Sequence, residues 1–195
     1  SYNWTWDGNG NMVTDAPSAG QWNHLSYAET ATDIDHPAFD LWVYGEPDYL
    51  EIKLYKASGD EPPVTPTPTP DVPGDGFVET NEIIPGEEYI IAVDYNGQIM
   101  MMSNVLDANN SIRLVGDPAQ MSGNAIVGGY SDNHLWTFSS ETAGTIQSVG
   151  NGRYCEVVNH NGYAWLGLAD SASYNWTWDG NGNMVTDAPQ AGQWN

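Results

Sequence analysis

The first 23 residues, SYNWTWDGNGNMVTDAPSAGQWN, return at residues 173–195 as SYNWTWDGNGNMVTDAPQAGQWN, changed only at Ser18 against Gln190. Any fold available to the chain must therefore place one 23-residue element twice, 172 residues apart. A solenoid unit of roughly 20 to 50 residues cannot bury a core by itself. The longer period here suits an independently folding domain with its connection. The single difference between the copies marks them as neighbouring members of a tandem array. With no initiator methionine and with repeated ends, the chain is expected to be a window on a longer polypeptide of beads. The other arrangement is a discrete subunit that shares strands with a neighbour.

The boundary between beads is written in GDEPPVTPTPTPDVPGDG, residues 59–76. Alternating proline fixes φ and removes backbone donors, which favours an extended polyproline-type rod. The expected organisation is then residues 1–58 as the C-terminal part of a preceding or strand-exchanged β domain and residues 59–76 as a Pro/Thr-rich linker. Residues 77–195 are the N-terminal two-thirds of the next β domain, with 173–195 repeating 1–23. Thr65, Thr67 and Thr69 are candidate O-glycosylation positions, and Asn3, Asn109 and Asn175 open N-x-[ST] triplets.

On both sides of the linker the chain reads as short apolar segments: EYIIAVDY, QIMMMS, AIVGGY, LWTF, GTIQSV, YCEVV, AWLGL, NWTW, FDLWVY and YLEIKLYK. Glycine and asparagine punctuate them at NG 96–97, GNG 150–152, NG 161–162 and DGNGN 179–183, and no stretch holds a helical period. The expected class is all-β. Trp136, Trp176 and, one period on, Trp42 recur at intervals of 40 and 38 residues. Each has an aromatic two positions later (Phe138, Trp178, Tyr44), on the same face of a strand. Three such anchors around a pseudo-threefold core describe a β-trefoil-like barrel, with a β-sandwich as the alternative.

The stretch WTFSSETAGTIQSVGNGRYCEVVNHNGYAWLGLADSASYNW resembles one unit of the ricin-type β-trefoil family: a tryptophan motif, a Gly-x-Ile strand, a GxYCxxV strand and a further apolar strand. The family's glutamine two positions before each tryptophan is replaced here by His134, Tyr174 and Asp40. The resemblance implies a trefoil with a carbohydrate pocket at Glu156, Asn159, Tyr163 and Trp165, glutamate standing where the family tends to have aspartate. The passage EIKLYKASGDEPPVTPTPTP is similar to the strand-then-linker joints of tandem β-rich repeats in bacterial cell-surface proteins.

Charge narrows the partners. Four basic against 26 acidic residues give a net charge of −22, which repels nucleic-acid phosphates and anionic membranes. No run approaches the roughly 18 apolar residues of a membrane span. The lone Cys155 lies within RYCEVV and reads as a packed thiol, and no GxSxG, HExxH or phosphate-loop pattern occurs, so catalysis is not expected.

Asp7, Asn9, Asn11 and Asp15, repeated as Asp179, Asn181, Asn183 and Asp187, match the D-x-N-x-N opening of a calcium loop. Met12 and Met184 stand where that loop has glycine, and Ser18 and Gln190 where it has glutamate, so a polar hairpin turn fits the same residues. TDIDHPAFD, with Asp33, Asp35, His36 and Asp40, is read as a solvated loop rather than a metal site.

The function expected from these features is a non-enzymatic, extracellular or cell-surface tandem-repeat structural protein. It would form a filament by head-to-tail domain packing and so have itself as partner. The alternative is a multivalent lectin-like adhesin with glycan partners. No cofactor is required by either reading, with calcium the one candidate.

Overall fold

The computed structural model describes residues 4–6, 12–14, 22–28, 38–43, 50–58, 76–108, 112–160 and 163–188. Among them the fold is all-β. The N-terminal part contributes β1 (Trp4–Trp6), β2 (Met12–Thr14), β3 (Trp22–Ala28), β4 (Ala38–Val43) and β5 (Lys53–Ala57). Beyond the Pro/Thr segment come β6 (Phe77–Thr80), β7 (Glu88–Tyr95), β8 (Gln98–Leu106), β9 (Leu114–Pro118), β10 (Gln120–Ser122) and β11 (Ala125–Gly128). A 3₁₀ turn, Asp132–His134, leads into β12 (Leu135–Phe138), β13 (Ala143–Gly144), β14 (Ile146–Ser148), β15 (Tyr154–His160) and β16 (Tyr163–Ala169). The described chain closes with β17 (Trp176–Trp178) and β18 (Met184–Thr186).

β1 and β2 form a two-stranded sheet of their own, and the other strands form one large antiparallel sheet. Its path runs β10-β11-β6-β5-β7-β8-β9-β4-β3-β18-β17-β13 and does not return on itself. A branch leaves β7 through β12 and continues to β14, β15 and β16. The sheet thus interleaves the two sides of the linker. β5 pairs with β6 and β7, and the β3–β4 hairpin lies between β18 and β9.

β7 explains why its sequence is apolar without alternation. Tyr89, Ile91 and Val93 face the larger core with Leu25, Phe39, Leu54, Met102 and Trp136. Ile90 and Ala92 face a second cluster with Tyr55, Phe77, Met101, Ile126 and Leu135. A strand covered on both faces loses its polar positions. β17 instead alternates, burying Trp176 and Trp178 with a half-buried threonine between, whereas β12 sends Leu135 to the second cluster and Trp136 and Phe138 to the larger one. The β7–β8 turn takes its shape from Asn96 and Gly97, with φ of 53° and 83°, as a two-residue hairpin requires.

Candidate functional site

The site of most interest is the groove that holds the second copy of the repeated hairpin. β17 and β18 pair Trp176 with Thr186, Thr177 with Val185 and Trp178 with Met184. The first copy pairs its equivalents identically, Trp4 with Thr14, Thr5 with Val13 and Trp6 with Met12. The second copy belongs to the large sheet, the first to a two-stranded one. The indole N–H of Trp176 donates to the Cys155 carbonyl and that of Trp178 to the Asn81 carbonyl, each at 3.0 Å. Met184 and Thr186 are buried beside them. β13 flanks β17 through Ala143 and Gly144, and β3 flanks β18 where His24 faces Val185.

The entry to this hairpin is fixed by a buried carboxylate. Glu156 Oε1 accepts the Ser173 and Tyr174 N–H groups at 2.9 and 3.3 Å. Burial pushes the Glu156 carboxyl above its ordinary range, against the pull of those two donors. Asp187 then clamps Asn175, taking its backbone N–H at 2.7 Å and its side-chain amide at 3.1 Å. Asn175, the one candidate N-glycosylation residue among those described, is exposed at this corner.

The D-x-N-x-N loop lies at the tip of the hairpin. Asp179 Oδ1 accepts the backbone N–H groups of Asn181 and Asn183, and its Oδ2 accepts the Asn183 side-chain amide at 2.6 Å. The aspartate therefore organises the turn from inside. Among the described residues no group of three or more His, Cys, Asp or Glu side chains gathers as a metal site. Asp7, Asn9, Asn11 and Asp15 lie outside the described residues. Gly182 closes the turn at φ +93° and its carbonyl accepts the Ile52 N–H at 2.8 Å, tying the tip to the N-terminal strands.

A second junction was not legible as such. Asp40 is buried on β4, so its assignment to a solvated loop is corrected: Phe39 and Leu41 on either side belong to the core, and the carboxylate faces inward. Its Oδ2 meets Arg113 Nε at 2.6 Å, while Oδ1 accepts the Leu166 and Leu41 N–H groups at 3.0 and 2.8 Å. Burial pushes the Asp40 carboxyl upward, opposed by the Leu166 N–H, the Arg113 guanidinium and the Leu41 N–H. Arg113 has φ +66°, and its guanidinium lies 4.2 Å from the Trp165 ring centroid. The signal in the sequence was an arginine within the apolar run SIRLV, in a chain with four basic residues.

The four residues implied by the trefoil resemblance all lie on the β15–β16 hairpin. Glu156 faces Gly167 and Val158 faces Trp165, so Glu156 and Trp165 share a face, whereas Asn159 opposite Ala164 belongs to the other. Glu156 is turned to backbone donors, Asn159 is exposed, and the half-buried Trp165 donates to the His160 carbonyl at 3.3 Å. The Tyr163 side chain lies outside the described residues, as do Thr65, Thr67, Thr69, Asn3 and Asn109. Of the three spaced tryptophans, Trp136 is buried and donates to the Met102 carbonyl at 3.0 Å, matching the way Trp176 is held. Trp42 pairs with His24 on β4, its side chain outside the described set. Cys155 is buried, and burial raises its thiol pKa far beyond the usual range.

No family model, curated protein or solved structure matches the chain.

Proposed function

We propose that the chain is a non-enzymatic structural protein of the cell surface or extracellular space whose β-trefoil-like domains pack head to tail into a filament. One observation carries this reading. The repeated hairpin is an element against which the N-terminal strands dock, because β18 pairs with β3 and the Gly182 carbonyl receives the Ile52 N–H. A sequence recurring with a 172-residue period at that docking edge gives every copy the same means of meeting the next. Such heterologous contacts propagate without closing. The strong negative charge keeps the assembled surface soluble.

The trefoil reading is supported by two runs of four neighbouring strands, β12-β14-β15-β16 and β17-β18-β3-β4. Each begins with a buried tryptophan whose indole is bonded to a backbone carbonyl. β5-β7-β8-β9 supplies a third run of neighbours.

Electron microscopy of the purified full chain tests the function, paired with its intact mass under denaturing conditions after deglycosylation. Unbranched fibres with an axial repeat of one bead are expected. Monodisperse single-bead particles at every concentration would remove the reading. The lectin alternative draws on the half-buried Trp165 ring beside the Arg113 guanidinium. Saturable glycan-array binding that is lost in a folded Trp165→Ala variant would favour it over the filament.

A further inference from the structure

The chain contains five Asn–Gly pairs, and three of them, 96–97, 151–152 and 181–182, lie among the described residues. Asparagine is a thermolabile side chain. A glycine after it adds to this, because the main-chain nitrogen of a residue without a side chain reaches the carboxamide with little steric hindrance. All three asparagines are exposed, so access to solvent does not separate them. Their immediate partners do.

At the β7–β8 turn the Asn96 side chain makes no hydrogen bond among the described residues. A Cβ placed on Gly97 would meet nothing within 4 Å, so a ring closed on the Gly97 nitrogen has room. The restraint is on the attacking atom, since the Gly97 N–H donates to Asp94 Oδ1 at 2.9 Å. The other pairs are held more closely. Asn151 Oδ1 accepts the Arg153 N–H at 3.0 Å, and the Gly152 N–H donates to the Ser148 carbonyl at 3.0 Å. The Asn181 side-chain amide donates to the Asp179 carbonyl at 3.2 Å, and a Cβ on the buried Gly182 would stand 2.8 Å from the Glu51 Cβ.

We propose that Asn96 is a site of spontaneous modification, losing its side-chain amide through attack by the Gly97 nitrogen at a rate that Asp94 restrains. The electron pair of the Gly97 nitrogen forms a bond to Asn96 Cγ while the Cγ–Nδ2 bond breaks, and ammonia departs carrying the proton that the nitrogen gave up. Water then adds across one C–N bond of the resulting succinimide. Opening at Cγ gives aspartate, and opening at the main-chain carbonyl carbon gives isoaspartate. No oxidant or reductant takes part. Asp94 acts on the first step, because its carboxylate must release the N–H before the nitrogen attacks and its charge opposes negative charge growing there.

The consequence reaches the middle of the sheet. β7 pairs with β5, β8 and β12, and the loop at Asn96 and Gly97 sets its register with β8. Isoaspartate inserts a carbon into the main chain of that loop, which a tight turn of fixed length does not accommodate.

The test is peptide mapping by mass spectrometry of the folded full chain after prolonged incubation in mildly alkaline buffer, with a protease that cuts at aromatic residues. Conversion at Asn96 ahead of Asn151 and Asn181 is expected, with both aspartate and isoaspartate in the product. Asp94→Ala should speed conversion at Asn96 several-fold and leave the rates at Asn151 and Asn181 unchanged. Asp94→Asn, which keeps an acceptor oxygen without the charge, should fall between the two. Asn151 or Asn181 converting as fast as Asn96 would overturn the proposal, as would an Asn96 that stays intact when folded but converts in the urea-unfolded chain. Equal Asn96 rates in the wild type and both variants would overturn it too. So would a rise at all three asparagines together in Asp94→Ala, which would mark a loosened fold in place of a restraint on one amide.

Discussion

The hairpins at residues 4–14 and 176–186 share sequence and register, yet one is a two-stranded sheet and the other is built into the main sheet. Local sequence therefore specifies the strand pairing but not which sheet the hairpin joins. A two-stranded ribbon alone is marginal in water. The second copy gains its stability from the groove, through the carbonyls of Cys155 and Asn81 that receive its indoles and the strands on both flanks.

The sharpest way to break the comparison is to truncate one indole in each copy. Trp176→Ala removes a buried ring and leaves the Cys155 carbonyl without its donor. The expected loss is about 4 kcal/mol in chemical denaturation. The matched Trp4→Ala change is expected to cost under about 1 kcal/mol, since β1 pairs only with β2 among the described strands. Equal losses would show that the first copy occupies an equivalent groove.

Next in size is Asp40→Asn, which removes the carboxylate charge that meets the buried Arg113. Removing one member of a buried pair costs on the order of 3 kcal/mol. Amide exchange in β3 and β18 should then quicken while that of β1 and β2 stays unchanged. Unaltered exchange at the β3–β18 seam would mean that β4 does not support it.

The all-β class was legible because its strands are short apolar runs cut by residues that tolerate positive φ. Asn96, Gly97, Gly152, Gly180 and Gly182 adopt it where NG, GNG and DGNGN stood. EYIIAVDY and LWTF coincide with β7 and β12. Less legible were β6, β9 and β10, whose sequences FVET, LVGDP and QMS carry charge, glycine or full exposure and so lack a decisive period. Asp40 was misread for a physical reason. An aspartate within an acidic run reads as solvated, and only the distant Arg113 and Leu166, 73 and 126 positions away, make its burial tolerable. At the candidate site, the hairpin and its turn could be read from sequence, whereas the Glu156 anchor and the groove arise from residues separated along the chain.

Gly182→Ala probes the tip of the embedded copy. A Cβ there would stand 2.8 Å from the Glu51 Cβ, and the backbone sits at φ +93°, so steric and conformational costs combine to about 2 kcal/mol. The equivalent Gly10→Ala change in the first copy supplies the control. A melting shift of the same size in both variants would assign the cost to the turn alone.

The smallest expected effect comes from His24, at the point where β3 meets β18. Burial lowers its pKa below 6.5, and the nearby Asp179 carboxylate opposes this by favouring the charged ring. With the folded-state value depressed, the unfolded chain takes up the proton first as pH falls. The contribution is therefore complete above about 6.5 and declines through the interval down to the lower folded-state value. Denaturant midpoints should fall between pH 7 and pH 5, and His24→Gln should flatten that part of the profile. Because the titration belongs to the β3–β18 joint, amide exchange at Val185 should respond to pH, whereas the equivalent Val13 in the first copy should show only the intrinsic dependence of an amide. Parallel responses at both valines would place the proton's effect elsewhere in the sheet.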